Sequence, residues 1–323
     1  MAKPRVLVTA FYLKPGDEVD QLLQSADMET VFNPWHGRRT EDEMIDILQG
    51  IDGAVLSVDP MTEKVLRACD RLKVASRTGV GYDSIDVCAA TALKIAVCTT
   101  PGTTSNAVAD WTMALVLQCA RKLVESLSEV RRGGWARSNG HDLCAGTLGI
   151  VGLGQIGKEV VRRARGFGMR VLAYDVARDN AFASRYQVEY VGLEQLLRES
   201  DYVSLHAFLD ASTRRLINAE RLALMKSTAY LINTARGGLV DERALAEALE
   251  EKRIAGAALD VFDHEPLEAD SPLRGLDNAY LFPHAAGATK ETQDATGCMA
   301  AENAILVLQG KKPHYVVNPE VLG

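Results

Sequence analysis

The amino-acid sequence predicts an α/β fold of two doubly wound parallel-sheet domains. Its 323 residues are enough for two domains, since a domain commonly has ~150 residues. Short strand-like apolar runs alternate along the chain with amphipathic helical stretches, a pattern typical of parallel strands connected by helices. The composition, 47% hydrophobic and 24% charged, is that of an ordinary globular protein.

Charge, cysteine usage and the N-terminus exclude several classes of protein. The 36 basic and 43 acidic residues give the opposite of the basic surface that a nucleic-acid-binding protein presents. The six cysteines have no C-x-x-C spacing, so neither a metal site nor a disulfide scaffold is predicted, and we expect a reduced, cytoplasmic protein. The apolar run from Val6 to Leu13 is short and charged residues follow it. It is therefore predicted to be a strand rather than a secretion signal, and no membrane partner is expected.

In the first hundred residues, four predicted strands alternate with three predicted helices. Thr40 and Glu43 have the spacing of a capping box, in which the two side chains satisfy N–H groups at the start of a helix. The predicted strands are 5–10, 53–58, 73–77 and 95–98, and the predicted helices are 18–25, 41–49 and 62–69.

One long helix is predicted over residues 105–131, where apolar residues recur in steps of three or four until Gly133 and Gly134. Either it joins two domains or packs against a second subunit, or it is a long core helix; the periodicity leaves these alternatives open. A second series follows. Its predicted strands are 147–151, 170–174, 202–206, 229–233, 256–260 and 279–282, and its predicted helices are 156–166, 193–200, 219–225 and 241–252, before a final helix 290–309.

The most informative motif is a glycine-rich turn between a predicted strand and a predicted helix. Gly152 permits the tight turn, Gly154 lets the backbone approach a pyrophosphate, and Gly157 allows close packing of the helix on the strand. The helix that follows offers unpaired N–H groups and a partial positive charge to phosphates. Asp175 ends the next strand, where a carboxylate binds ribose hydroxyls and disfavours a 2′-phosphate. The motif therefore predicts a dinucleotide site that prefers NAD to NADP, although Arg178 lies nearby.

Three more strand ends carry residues suited to chemistry on an acid. Arg236 follows one strand and precedes two glycines, so its fork can hold a carboxylate or carbonyl. Glu265 follows the strand that ends at Asp260, and His284 follows the last strand. Ligands of an open α/β sheet bind at the carboxyl ends of its strands.

With these motifs in this order, the chain resembles the D-isomer-specific 2-hydroxyacid dehydrogenases, most closely their phosphoglycerate dehydrogenase-like branch. The resemblance runs from the segment Arg77 to Asp86 through the glycine turn to Pro283 and His284. It implies a flavodoxin-like substrate domain of residues 1–100 and 290–323 around a Rossmann NAD-binding domain of residues 101–289. It also implies a homodimer, formed through the NAD-binding domain and the 105–131 helix.

The resemblance further implies that Arg236, Glu265 and His284 are catalytic, and that backbone N–H groups near Val80 and Gly81 hold the substrate carboxylate. Imidazole suits proton transfer to and from the hydroxyl group, and a paired carboxylate would fix its tautomer. Arg236 would orient and polarise the carbonyl group. Residues assigned to the cofactor are Gly152, Gly154, Gln155, Ile156, Gly157, Asp175, His206, Ala207, Thr234, Ala235, Arg236, Asp260, His284 and Gly287.

The sequence departs from the family pattern at two places. Phosphoglycerate dehydrogenases resembling this chain carry an arginine for the substrate phosphate after the strand at Val55, but Leu56 to Pro60 contain none. With Asp59 nearby, an unphosphorylated 2-hydroxy or 2-oxo acid is the expected substrate. Phe208 stands where relatives often have proline. The alternative function is a non-catalytic NAD-binding regulator, since the C-terminal-binding corepressors resemble the same family.

Overall fold

The computed structural model describes residues 3–35 and 39–322. The chain divides into two compact units, one of Met1–Thr104 with Ala288–Gly323 and one of Ser105–Gly287. The elements, in chain order, are β1 (Arg5–Ala10), α1 (Glu18–Ser25), β2 (Glu29–Trp35), α2 (Glu41–Ile47), β3 (Gly53–Leu56), α3 (Glu63–Ala68), β4 (Val74–Arg77), α4 (Val87–Ala92), β5 (Ala96–Cys98), α5 (Ser105–Arg121), α6 (Leu123–Arg131), β6 (Thr147–Val151), α7 (Gln155–Gly166), β7 (Arg170–Tyr174), α8 (Asn180–Tyr186), β8 (Val188–Tyr190), α9 (Leu193–Glu199), β9 (Tyr202–Leu205), α10 (Ala219–Leu222), β10 (Tyr230–Asn233), α11 (Glu242–Glu250), β11 (Gly256–Leu259), β12 (Ala279–Leu281) and α12 (Lys290–Leu308).

The first unit has a five-stranded parallel sheet in the order β2-β1-β3-β4-β5. This is the doubly wound order in which the chain reverses direction once, between β1 and β3. Alternate residues of each strand pack into one of two cores; Leu7 lies in one and Val6 and Val8 lie in the other. The predicted capping box is confirmed, because Thr40 Oγ1 accepts the Glu43 N–H and Glu43 Oε2 accepts the Thr40 N–H.

The second unit has a seven-stranded parallel sheet in the order β12-β11-β10-β9-β6-β7-β8. Its strand order reverses between β6 and β9, and such a reversal opens a crevice at the carboxyl ends of the two strands. Leu172 and Leu231 lie in the core on one face, and Val171 and Ile232 lie in the core on the other. The predicted fold class, two doubly wound parallel-sheet domains, is confirmed.

The predicted single helix over 105–131 is wrong. It breaks at Lys122, which has a left-handed backbone (φ 51°). The buried Gln118 side chain bridges the break: its Oε1 accepts the Val124 N–H at 2.8 Å and its Nε2 donates to the Glu125 carboxylate at 3.0 Å. The core interpretation holds for α5, whereas α6, all of which the structure describes, buries no residue.

Four short elements have no counterpart among the predictions: β2, α4, α8 and β8. Of the helices in the described residues, none has the length together with the apolar composition that crossing a lipid bilayer demands.

Candidate active site

The glycines of the turn after β6 fall into two groups: two are required by packing, and one leaves space for a ligand. A Cβ at Gly152 (φ 98°) would lie 2.6 Å from the Ala207 nitrogen, and one at Gly157 would lie 2.3 Å from the Gly152 oxygen. Both positions therefore require glycine for packing alone. A Cβ at Gly154 would meet no described atom within 4 Å. Since packing does not demand glycine there, the open space fits the close approach of a diphosphate.

The N-terminus of α7 completes this cradle. Gly154 occupies the position before the helix and has no side chain to cap it, so the first N–H groups of α7, beginning at Gln155 and Ile156, face a site suited to an anion. The residues present thus fit the diphosphate of NAD, which this site is expected to hold.

Asp175 has a second role that sequence reasoning missed. Its Oδ2 accepts the Leu153 N–H at 2.6 Å, and its Oδ1 accepts the Ala177 N–H at 2.8 Å. The carboxylate predicted to read the ribose therefore also holds the glycine turn in place. Its contact with a ribose remains a prediction.

His206 directly follows β9, on the other side of the strand reversal. Its N–H donates to the Val151 oxygen at 2.7 Å, and its Nε2 lies 2.9 Å from Ser204 Oγ. The Nδ1 atom is buried and has no hydrogen-bond partner among residues 3–35 and 39–322. Burial lowers the pKa of His206 to about 3, so the ring is neutral near pH 7. A neutral imidazole with one unused polar atom beside Gly152 is consistent with a cofactor neighbour.

The loop after β10 is shaped by Asn233, whose side chain is buried. Its Nδ2 donates to the Arg236 oxygen at 2.8 Å, and its Oδ1 accepts the Ala235 N–H at 3.1 Å. Arg236 Nη1 donates to the Ala235 oxygen at 2.7 Å. The backbone from which the Arg236 side chain projects is therefore fixed from inside the sheet.

Thr234 makes its contact with α5. The Thr112 hydroxyl donates to the Val108 oxygen at 2.7 Å, so the 2.9 Å contact between the Thr234 and Thr112 hydroxyls has Thr234 as donor. Thr112 was not predicted, because nothing in the sequence relates it to a residue more than a hundred positions away.

The loops after β11 and β12 are joined by Asp260, which has no exposed surface. Its Oδ1 accepts the Ala285 N–H at 2.9 Å and its Oδ2 accepts the Ala286 N–H at 2.8 Å, while its backbone oxygen accepts the His284 N–H at 2.8 Å. His284 has a left-handed backbone (φ 55°). Burial raises the pKa of Asp260, although the two N–H groups oppose that effect. Asp260 thus holds the loop that carries His284, and its contact with the cofactor stays a prediction.

Glu265 and His284 form the predicted pair. Glu265 Oε2 lies 2.8 Å from His284 Nδ1, and Glu265 Oε1 accepts the Phe262 N–H at 3.0 Å. The imidazole side chain is 39% exposed, so a ligand can reach it. Because Nδ1 is engaged by a carboxylate, Nε2 is the ring nitrogen suited to proton transfer.

The three predicted catalytic residues follow three adjacent strands, β10, β11 and β12. A Cβ at Gly237, next to Arg236, would lie 1.9 Å from the Phe262 carbon, so the Arg236 loop packs directly on the segment that leads to Glu265. Gly287, predicted to contact the cofactor, has open space at its Cβ position among the described residues.

Val80 and Gly81 follow β4 in the first unit; Val80 is exposed and Gly81 is buried. Asp59 lies beyond the end of the neighbouring strand β3. Repulsion of a substrate phosphate by its charge is weaker than the sequence alone predicts. Its Oδ1 accepts a hydrogen bond from Arg39 Nη1 at 2.7 Å, and both side chains are about 5% exposed or less. Its Oδ2 is bonded by the Thr9 hydroxyl. The charge of Asp59 is thus compensated by an arginine that sequence reasoning did not single out.

The chain is similar to known proteins over most of its length. Residues 113–286 match the sequence model of a family described as D-isomer specific 2-hydroxyacid dehydrogenase, NAD binding domain. A glyoxylate reductase of Korarchaeum cryptofilum is 42% identical over 99% of this chain and 97% of its own. A D-3-phosphoglycerate dehydrogenase of Methanocaldococcus jannaschii is also 42% identical, over 86% of this chain and 54% of its own. The crystal structure of a glyoxylate reductase from Paecilomyes thermophila has a TM-score of 0.87 and 30% identity, over 99% of this chain and 100% of the other.

Proposed function

We propose that this chain, which belongs to the D-isomer-specific 2-hydroxyacid dehydrogenases, transfers hydride between NADH and C2 of a small unphosphorylated 2-oxo acid. Membership of the family confirms the predictions of an NAD-binding hydroxyacid dehydrogenase. Relatives named glyoxylate reductase, 40–42% identical to this chain, favour an enzyme over the non-catalytic regulator. The observation that carries the proposed chemistry is the contact of 2.8 Å between Glu265 and His284.

In the proposed reaction, bound NADH supplies the hydride, and the residues of the chain manage the substrate and the proton. C2 of the oxo acid takes the hydride as the electron pair of its C=O bond moves to oxygen, and that oxygen takes a proton from His284 Nε2. Glu265 holds the Nδ1–H and stabilises the imidazolium from which the proton leaves. Arg236 orients the oxo acid and stabilises charge developing on its oxygen. In the oxidation direction, His284 is the base.

For the substrate, we favour glyoxylate or hydroxypyruvate over a phosphorylated acid. The segment Leu56 to Pro60, in which the family carries its phosphate-binding arginine, contains no cation, and Arg39 is already bonded to Asp59 and Asn33. Neither that segment nor Arg39 therefore offers a cation to a phosphate. The names of several relatives, such as the glyoxylate reductase of Korarchaeum cryptofilum, support the same choice. Within the first unit, we assign the substrate carboxylate to N–H groups near Val80 and Gly81.

The test is turnover with NADH of a panel of glyoxylate, hydroxypyruvate, pyruvate and phosphohydroxypyruvate. We expect the first two to have the highest kcat/KM. His284→Ala should lower turnover by about 10²–10⁴-fold and leave NADH affinity nearly unchanged. The control His141→Ala alters an exposed imidazole of the same unit and should leave turnover unchanged. A higher kcat/KM for phosphohydroxypyruvate than for the other acids would contradict the proposed substrate, and full turnover by His284→Ala would contradict the assignment of His284 as acid and base. NADH binding with no turnover of any acid would favour the regulator.

We also propose a homodimer through the NAD-binding unit. On α6, the apolar side chains of Leu123, Leu127 and Val130 lie on one helical face and are each more than half exposed. An apolar stripe of this kind marks a protein interface. Light scattering should give twice the chain mass of 35.1 kDa and a smaller mass for Leu127→Glu. A monomer at every concentration would refute the dimer.

A further inference from the structure

The segment that leads to Glu265 is held by two carboxylates at consecutive N–H groups. Glu265 Oε1 accepts the Phe262 N–H at 3.0 Å, and Glu242 Oε1 accepts the Asp263 N–H at 2.6 Å. The first contact is local to the turn. The second comes from the opening residue of α11, more than twenty positions earlier in the chain.

Glu242 opens α11, the helix to which the Arg236 loop leads. Asp241 caps α11 by accepting the Ala244 N–H at 3.2 Å, and this fixes the first turn of the helix. A Cβ at Gly237 would lie 2.2 Å from the Asp263 nitrogen, so the Arg236 loop and the Glu265 turn are in contact at their backbones. The bond from Asp263 to Glu242 therefore ties the two loops together.

The surroundings of Glu242 are unfavourable for a carboxylate. Burial raises the pKa of Glu242, and the charges of Asp263 and Glu265 act in the same direction, whereas the Asp263 N–H and His264 oppose them. Arg214 bonds to Asp263 at 3.3 Å and relieves part of the repulsion. A partly buried carboxylate placed beside two others contributes little net stability, and such local conflicts are typical of functional sites.

We propose that Glu242 is a positioning residue: by holding the Asp263 N–H, it fixes the turn from which Glu265 reaches His284 and keeps that turn in register with the Arg236 loop. This inference rests on the proposed function, because it assumes that the Glu265–His284 pair transfers the proton. It assigns Glu242 no contact with substrate.

Two conservative variants separate contact from charge. Glu242→Gln keeps an oxygen at the same reach and loses the charge, whereas Glu242→Asp keeps the charge and retracts the oxygen by one methylene. We expect Gln to retain kcat within about threefold. We expect Asp and Ala to lose about ten- to a hundredfold in kcat, because a displacement of about 1 Å at a catalytic group costs up to 10²-fold. KM for the oxo acid and the dissociation constant of NADH should change little.

Asp201→Ala is the matched control. Asp201 also accepts a backbone N–H, that of Thr147 at 2.9 Å, but at the amino end of the same sheet. Its loss should lower stability and leave kcat unchanged. Hydrogen exchange of the peptide 260–266 supplies a readout that needs no activity: it should speed up in Glu242→Asp and Glu242→Ala, and not in Glu242→Gln or Asp201→Ala.

The inference is overturned if Glu242→Asp and Glu242→Ala leave hydrogen exchange of the peptide 260–266 unchanged, or if they speed up exchange and leave kcat unchanged. It is also overturned if Glu242→Gln loses kcat while Glu242→Asp retains it, because the charge of Glu242 and not its contact would then be needed. If Glu242→Ala does not fold, the Gln and Asp variants decide. Absence of turnover in the unaltered enzyme would refute the proposed function, while the exchange result would still show whether Glu242 anchors the turn.

Discussion

The substitution Asp260→Asn tests whether a buried carboxylate holds His284 in its left-handed conformation. Each oxygen of Asp260 accepts one N–H, from Ala285 and from Ala286. Asparagine has one acceptor oxygen, so one buried N–H would face an NH₂ group. An unsatisfied buried donor costs about 1–3 kcal/mol. We expect the free energy of unfolding to fall by that amount and kcat to fall with it.

The left-handed backbone of His284 has an energetic cost that gives a second expected value. A left-handed backbone costs a residue other than glycine about 1–2 kcal/mol, and His284 has φ 55°. If Asp260 supports that conformation, glycine at 284 needs less support. The cost of Asp260→Asn should therefore be about 1 kcal/mol smaller in a His284→Gly background than with histidine present.

Trp111 provides a local assay. Its ring packs edge to face on Phe282, with 5.5 Å between centroids, two residues before His284. With the exposed Trp35 and Trp135 changed to phenylalanine, denaturant titrations followed by Trp111 fluorescence report the unfolding of this unit. Additivity of the two substitutions within about 0.5 kcal/mol would refute the support of His284 by Asp260.

Three other predictions concern the cofactor and substrate contacts. Arg236→Lys keeps the charge and loses the fork, so KM for the oxo acid should rise and kcat should fall; identical kinetics would exclude bidentate contact. Asp175→Ala should narrow the preference for NADH over NADPH. It should also weaken the binding of both cofactors, because the Leu153 N–H of the glycine turn loses its acceptor; fluorescence titration with each cofactor measures both effects. Because the pKa of His206 falls from 6.5 to about 3 on folding, the unfolded state binds the proton first as pH drops, and stability should fall by up to about 1.4 kcal/mol per pH unit between those values. In denaturant titrations at several pH values, His206→Gln, which keeps a partner for Ser204, should flatten that slope.

Elements with a strong local signal could be predicted from sequence, and elements set by tertiary context could not. Strand β2 contains Asn33 and Pro34, which weaken a strand pattern; it is an edge strand, where the missing N–H of proline is tolerated. The break at Lys122 depends on the buried Gln118 side chain. No periodicity of apolar residues contains that information, since α5 and α6 continue the same spacing.

The same division applies to the site. The glycine turn was predictable because the role of each glycine follows from its place between a strand and a helix. Asp260 was expected to contact the cofactor, and it is bonded to two backbone N–H groups of another loop. Arg39 and Glu242 act on residues far along the chain, and their spacing in the sequence carries no signal of those contacts.

The polar residues behind the proposed catalytic side chains share one property: each binds backbone groups of a loop that carries a catalytic side chain. Asn233 holds the Arg236 loop, Asp260 holds the His284 loop, and Glu242 holds the Glu265 turn. A bond to the backbone fixes the point from which a side chain reaches the substrate. The loops that carry Arg236 and His284 are rich in glycine and alanine, so their geometry depends on these polar groups. Loss of any one should therefore lower kcat more than it raises KM, because it displaces a reacting group without removing a contact that binds the ground state.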